Sequence, residues 1–417
     1  MSTLERRRAR RTAVALAALL SVGGPVTSAR AQSLPDEPLV AGGGRLTVGG
    51  DVSVVGSCAH SNLPGAASCT DDTGFFNYTD YDHSALRTLR VDVDARLRAT
   101  AHLSVLGEIR TENGNSLQAY ALYARIRPWL ARDFDIQVGR VPPTFGAFAR
   151  RTYAADNILI GYPLAYQYLT SLRPDALPAN ADELLRMRGR GWLSNFSIGD
   201  LSPRHGMPIA SVFRWDTGVQ AHLAAGIVEA TASVTMGTLG NPLVLDDNTG
   251  KQVSGRVSIH PSPGLILGLS GAHGPFVASS AARSAGVSGS FTQTAWGADA
   301  EYSRAYYLIR AEAIVSDWRL PFIAELPLRA VSTSVEARYK VQPRLYLAAR
   351  FDHLGFSTIT GTSGAQTWDA PVDRLEVGTG YSLERNLQLK VSLQHNTRDT
   401  AHASKVNIGA LELVYWF

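Results

Sequence analysis

The stretch LRVDVDARLR at residues 89–98 sets Leu89, Val91, Val93, Ala95 and Leu97 against Arg90, Asp92, Asp94, Arg96 and Arg98. Side chains of a strand point alternately to two faces, so this segment has one apolar face and one that carries full charges. The same period of two recurs at HLSVLGEIRTE, QAYALYARIR, FDIQVGR, QVSGRVSIH, TAWGADAEYS, YLIRAEAIVSDW, TSVEARYK, LYLAARFDH, RLEVGTGYSL and LQLKVSLQHN, and it closes the chain in LELVYWF. A soluble sandwich or propeller would have to pack these charged rows into dry cores, and no blade-length repeat recurs at a fixed period. The pattern instead asks for an apolar surrounding on one side and water on the other.

The connections between these segments fall into two alternating classes. Short turns are expected near 99–100, 129–132, 216–218, 261–263, 303–305, 342–343 and 384–386. Longer polar or glycine-rich stretches lie near 57–84, 113–116, 141–208, 239–250, 275–289, 319–328, 357–371 and 399–403. Together they delimit sixteen strands with both chain ends at the short-turn end. Eighteen result instead if ELLRMRGRGWLSN is a strand and 219–239 divides in two. No segment after residue 31 approaches the roughly 18 apolar residues of a membrane helix. In hydrocarbon every backbone N–H and C=O must be paired inside the protein, which leaves helices or closed barrels. An even count of alternating strands with short turns at one end and long loops at the other therefore predicts an all-β fold, a transmembrane antiparallel β-barrel.

The amino terminus supplies the compartment. Arg6, Arg7, Arg8, Arg10 and Arg11 precede an apolar run from Ala13 to Val22, and Ala29-Arg30-Ala31 has the spacing of a cleavage site. Residues 1–31 read as a removed secretory signal, residues 32–43 as a short periplasmic lead-in, and 44–417 as one barrel. The signal holds six arginines and one glutamate, so its removal turns the formal net charge from +4 to −1. The basic balance is then no argument for nucleic acid as a partner. Cys58 and Cys69, the two cysteines of the chain, lie in one polar stretch and are expected to pair in an oxidising compartment.

At the carboxyl end Leu411, Leu413, Tyr415 and the terminal Phe417 alternate with Glu412, Val414 and Trp416. This resembles the last strand of bacterial outer-membrane barrel proteins, and the resemblance implies recognition by the barrel assembly machinery, closure against the first strand, and an outer-membrane lipid surround in a Gram-negative-type bacterium. VGRVPPTFGAFARRTY at 138–153 is similar to a segment of porins of the phosphate-selective O/P type, with Thr144 interrupting the Pro-Phe step of that pattern. The resemblance implies a passive diffusion channel for small hydrophilic solutes or anions, without a cofactor, and a homotrimer. A barrel with a plugged lumen, acting as a lipase or protease or as an adhesion or structural protein, is the competing expectation.

Sixteen strands enclose an aqueous channel. Its wall, assigned by alternation, carries nearly as many acids as bases. Arg90, Arg96, Arg110, Arg125 and Arg127 gather on three successive strands as a basic patch, with Glu108 and Glu112 beside them. Arg150 and Arg151 sit in the longest connection, 141–208, which is expected to fold into the pore and, with the patch, to favour anions mildly. Within it, Asn180 and Glu183 form a capping-box pattern and Pro163 is placed to start a helix. Asp71, Asp72, Asp80 and Asp82 match no calcium loop and read as a solvated cluster. No metal-ligand, phosphate-loop or nucleophile-elbow motif occurs, and the His102/Ser104 pair is explained by alternation, so the chain is expected not to be an enzyme.

Overall fold

The computed structural model describes residues 35, 37–62, 69, 86, 88–325, 327–400 and 404–417. Asp71, Asp72, Asp80 and Asp82 lie outside them, as do residues 1–34. Sixteen strands run antiparallel to their neighbours: β1 (Leu46–Ser61), β2 (Leu89–Arg98), β3 (Leu103–Glu112), β4 (Gln118–Ile126), β5 (Asp133–Val141), β6 (Asp216–Ala225), β7 (Val228–Thr235), β8 (Gln252–Ser262), β9 (Leu265–Pro275), β10 (Thr292–Arg304), β11 (Tyr307–Trp318), β12 (Leu328–Gln342), β13 (Leu345–Phe356), β14 (Val372–Glu384), β15 (Leu387–Arg398) and β16 (Lys405–Trp416). Each pairs with the next, and β16 pairs with β1 from Asp51↔Trp416 to Ser61↔Val406, which closes the sheet into a barrel. A three-residue strand, Leu39–Ala41, folds back on the start of β1.

The alternation governs what faces where. Val93, Ile109, Leu122, Val257, Leu347, Phe351, Leu375, Leu393, Leu411 and Leu413 stand exposed on the outer surface and give it an apolar face. Their neighbours Arg90, Asp92, Glu108, Arg110, Arg350, Glu376, Lys390 and Glu412 point inward. The carboxyl end is held as its composition suggests: Phe417 N–H donates to Gly50 O at 3.1 Å, Gly50 N–H donates to Phe417 O at 3.2 Å, and the Tyr415 ring stacks 6.1 Å from that of Phe417.

One boundary differs from the sequence reading. The turn expected at 216–218 lies at Gly226–Ile227, with Gly226 at φ +59°, and the longest connection runs through 142–215. Asp216 looked like a turn residue because it is a good backbone acceptor. It uses that capacity to start β6, taking the amides of Thr217, Gly237 and Leu243. The apolar run IASVFRW before it belongs to no wall strand: Ile209, Ala210 and Val212 are buried within the barrel, and their stretch bonds to Ala165 and Leu239. A strand facing lipid on one side and water on the other would not be apolar at successive positions, and this one faces neither.

Candidate functional site

The 142–215 connection turns inward and builds a core of its own inside the barrel. Leu164, Tyr166, Tyr168, Leu172, Leu177, Leu184 and Ile209 pack with Ala295, Ile314, Trp318, Leu328, Leu354 and Trp368 from the wall and the outer loops. Pro163 precedes a one-turn helix, Leu164–Gln167, and a second helix spans Ala181–Arg186. The capping box at the latter is formed, with Glu183 N–H donating to Asn180 Oδ1 at 2.9 Å and Glu183 Oε2 accepting from Ala179 N–H at 2.7 Å. Asp369, between β13 and β14, ties the core to the outer loops by accepting from Ser171 N–H, Gly189 N–H and Tyr168 O–H.

Residues 152–161 then run inside the barrel against the strands on both sides of the β1–β16 seam, held mainly through their backbone carbonyls and amides. Arg90 donates to Thr152 O at 3.2 Å, Lys390 to Ala154 O and, at 2.7 Å, to Asn157 O, and Tyr346 to Ile158 O at 2.9 Å. Glu376 accepts from Gly161 N–H at 3.0 Å, and Glu108 accepts from the Tyr153 hydroxyl at 2.6 Å. Burial, reinforced by the Glu108 carboxylate, pushes that phenol well above its ordinary value, so it remains a neutral donor. Ile160 packs on Val55, Val406 and Ile408 across the β1–β16 seam. Further along, Glu312 accepts from Ala147 N–H and the Tyr166 hydroxyl.

The long connection therefore enters the lumen and covers part of the wall, and several wall charges, among them Arg90, Arg110, Arg350 and Lys390, are buried beneath it. Arg90 is 1% exposed and forms an ion pair with Asp92. Arg110, also buried, pairs with Asp92 and, at 3.1 Å, with Glu108, and its guanidinium lies 3.4 Å over the Tyr120 ring. These two arginines lie on the inward face that alternation assigns and are covered there by ion-pair and loop contacts: alternation assigns a face, and it carries no information on what folds against that face. Arg125 pairs with Asp135 at 2.5 Å and keeps some exposure; Arg127 is 3.9 Å from Asp133 near the short-turn end. Arg96 is exposed, and Glu112 stands opposite Arg90 in the β2–β3 register. Arg151 reaches Glu301 at 3.4 Å and Glu336 at 3.8 Å; burial and the neighbouring Arg310 lower its pKa. The side chain of Arg150 lies outside the described set.

Sequence reasoning missed a second network, on β12–β14 across the seam from the first. Arg350, fully buried, contacts Asp352 at 3.1 Å, Glu376 at 2.6 Å and Glu336 at 3.6 Å, and Arg374 donates to Tyr162 O and Gln167 Oε1. The signal was present as facing charges on β12–β14, without a reason to prefer them to the arginines of β2–β4. Cys58 and Cys69 form a disulfide. His102 Nδ1 is 2.7 Å from Arg127 O, so its ring is engaged by backbone. Asp133, Asp135 and His222 bring three donor atoms within 4.8 Å of one another, with Asp135 already held by Arg125 and Gln137.

The architecture is found among solved structures. The anion-selective porin of Comamonas acidovorans matches with a TM-score of 0.56 at 10% identity, over 89% of this chain and 99% of its own. Salmonella typhi OmpF, in complex with daunomycin, matches at 0.54 and 10% identity, covering 89% and 98%. The trimer form of OmpT, an outer membrane protein of Vibrio cholerae, matches at 0.52 and 12% identity, covering 89% and 99%. The fold is that of the porins. No protein-family model and no curated protein matches the sequence, so this likeness is one of fold, and the phosphate-selective subtype has no support beyond its sixteen-residue motif.

Proposed function

We propose that this porin-like barrel is an outer-membrane diffusion channel for small hydrophilic solutes, closed at rest by residues 152–161. The observation that supports it is the chemistry of the closure. That bridge is fastened mostly by hydrogen bonds to charged wall residues, with apolar contacts of Ile158, Leu159 and Ile160 beside them, and such bonds have a net worth of about 1.5–3 kcal/mol each because water replaces them when they break. A permanent seal would be apolar, as the neighbouring Leu164–Val212 core is. The bridge can exchange the wall for water; the core cannot do so cheaply.

The polar wall favours transport over hydrolysis in this reading, and no cofactor is required. A mild anion preference, expected from the arginine patch, loses Arg90 and Arg110 to their acidic partners and rests on Arg96 with partial help from Arg125 and Arg127; we propose a weakly selective pore. Residence in the outer membrane, maturation by loss of residues 1–31 and assembly as a trimer belong to the same proposal. A second reading, a sealed barrel with an adhesive or structural role, is favoured by the apolar core alone.

Planar-bilayer recording on the purified chain separates the two. Brief, discrete conductance steps separated by long closed periods are expected. A membrane that stays silent at every holding potential, with protein shown to be inserted, would establish the sealed barrel instead.

A further inference from the structure

Between the bridge and the short-turn end of the wall lies a cavity of about 350 Å³. Two kinds of group line it: the acids Asp51, Asp92, Asp94 and Glu108, and the aromatic residues Tyr123, Tyr153, Trp215, Trp416 and Phe417, with Arg96 at the same wall. Asp92 and Glu108 are engaged by Arg90 and Arg110. Asp51 is different. It stands directly opposite Asp92 in the β1–β2 register and opposite Trp416 across the seam, it is 6% exposed, and its Oδ2 has no hydrogen-bond partner among the described residues. Asp94, one turn of the alternation closer to the short-turn end, is exposed towards the same space.

A buried carboxylate oxygen without a donor is costly, and strain, an ordered water, or a ligand or ion that completes it are the explanations such a group calls for. Asp51 shares a hydrogen bond with Asp92, which takes one proton between the two carboxyls, so Arg90, Arg96 and Arg110 face four carboxyl groups that are completed either by that proton or by a bound cation. A hard divalent ion seeks several oxygen ligands and retained waters; here five aromatic residues, Tyr123, Tyr153, Trp215, Trp416 and Phe417, line the cavity together with the acids. Aromatic faces attract cations and accommodate apolar bodies. We propose that the cavity is a binding subsite for organic amines, with the ammonium on Asp51 and Asp94 and the carbon body between the rings of Trp215, Trp416, Tyr123 and Tyr153. The proposal deepens the channel reading, and rests on it only in treating the amine as a transported solute.

Isothermal titration of the full chain in detergent tests the site without requiring conduction. Benzylammonium chloride should bind at least tenfold more tightly than benzyl alcohol, and sodium benzoate should not bind measurably. Asp51→Asn should weaken benzylammonium about tenfold, equivalent to about 1.4 kcal/mol, while the unheated protein keeps its folded gel mobility. Trp215→Leu, in the loop and outside the wall, should weaken it as well. Equal affinity for the ammonium and the alcohol, tighter binding of magnesium chloride than of the amine, or unchanged affinity in Asp51→Asn would each overturn the assignment. If Asp51→Asn does not fold, the ammonium-to-alcohol ratio on the parent and the Trp215→Leu titration still decide it. A chain that binds benzylammonium yet never conducts would retire the channel and keep the site; one that conducts without binding would do the reverse.

Discussion

Lys390 is the sharpest handle on the closure. Its ammonium is 1% exposed and donates to Ala154 O and Asn157 O while standing 3.3 Å from Glu412. Hydrogen bonds made by a charged group contribute about 1.5–3 kcal/mol each. Two of them hold the bridge by about 3–6 kcal/mol, so their loss should shift its open-to-closed ratio by about two to four powers of ten. Lys390→Met alone confounds this, because it strands Glu412, and an uncompensated buried charge costs about 3–5 kcal/mol. That cost falls on the barrel whether or not the bridge lifts. The paired variant Lys390→Met with Glu412→Gln removes the stranded charge and isolates the bridge. Single-channel recording should then show open time rising at least about a hundredfold over the parent, taking the lower bound of the same estimate because Tyr346, Glu376 and Arg90 still hold their ends. A paired variant that folds, inserts and gates like the parent would refute the view that polar anchors set the closed state.

Three further outcomes follow from particular contacts. Arg110→Gln with Arg125→Gln should leave the zero-current potential in a salt gradient nearly unchanged, since both guanidinium groups are matched by Asp92, Glu108 and Asp135; a large shift towards cations would restore the arginine patch as the selectivity element. Replacing Cys58 and Cys69 by serine opens a loop with a sequence separation of 11 residues and should lower the denaturant midpoint, with a loop-closure contribution of about 3 kcal/mol, while the barrel still forms by circular dichroism. Phe417→Ala should reduce the yield of assembled barrel in cells more than it lowers the stability of what does assemble, because its backbone pairing with Gly50 survives the change; equal losses in both measurements would assign the ring a packing role only.

Much of the barrel was legible because its signal is local. Each wall strand presents an apolar residue outward at every second position, so LRVDVDARLR announces β2 without reference to anything else in the chain, and the terminal aromatic strand announces the seam. What failed was non-local. Gly226 turns the chain between Ala225 and Val228 with apolar residues on both sides, so no polar cluster marks it, whereas Asp216 looked like punctuation and instead caps a loop. The buried state of Arg90 depends on Thr152 and Tyr162, 62 and 72 residues away, arriving in the lumen. Asp51 carried no sequence signal at all, being one acid among many on a polar face; only the register with Asp92 and the arrival of Trp215 from the long loop single it out.

The near balance of acids and bases on the wall has a physical reason that an open channel would not supply. Charges bathed in water need no partner, and their numbers are free to drift apart. Charges covered by a loop must be paired or they expel it, because a lone buried ion costs several kcal/mol. Here Arg350 is matched by Asp352 and Glu376, Arg256 by Asp299 at 2.5 Å, and Arg310 by Glu301 at 2.7 Å and Glu336 at 3.1 Å. The wall is built to receive the loop, and the same pairs keep it wettable when the loop departs. Buried carboxylate oxygens of Glu336, Asp352 and Glu412 also lack a hydrogen bond, but each of those residues has an arginine or lysine in ion-pair contact. Asp51 instead shares a hydrogen bond with Asp92 and keeps its second oxygen towards an aromatic-lined cavity, which is the place where a cation from solution would complete the set.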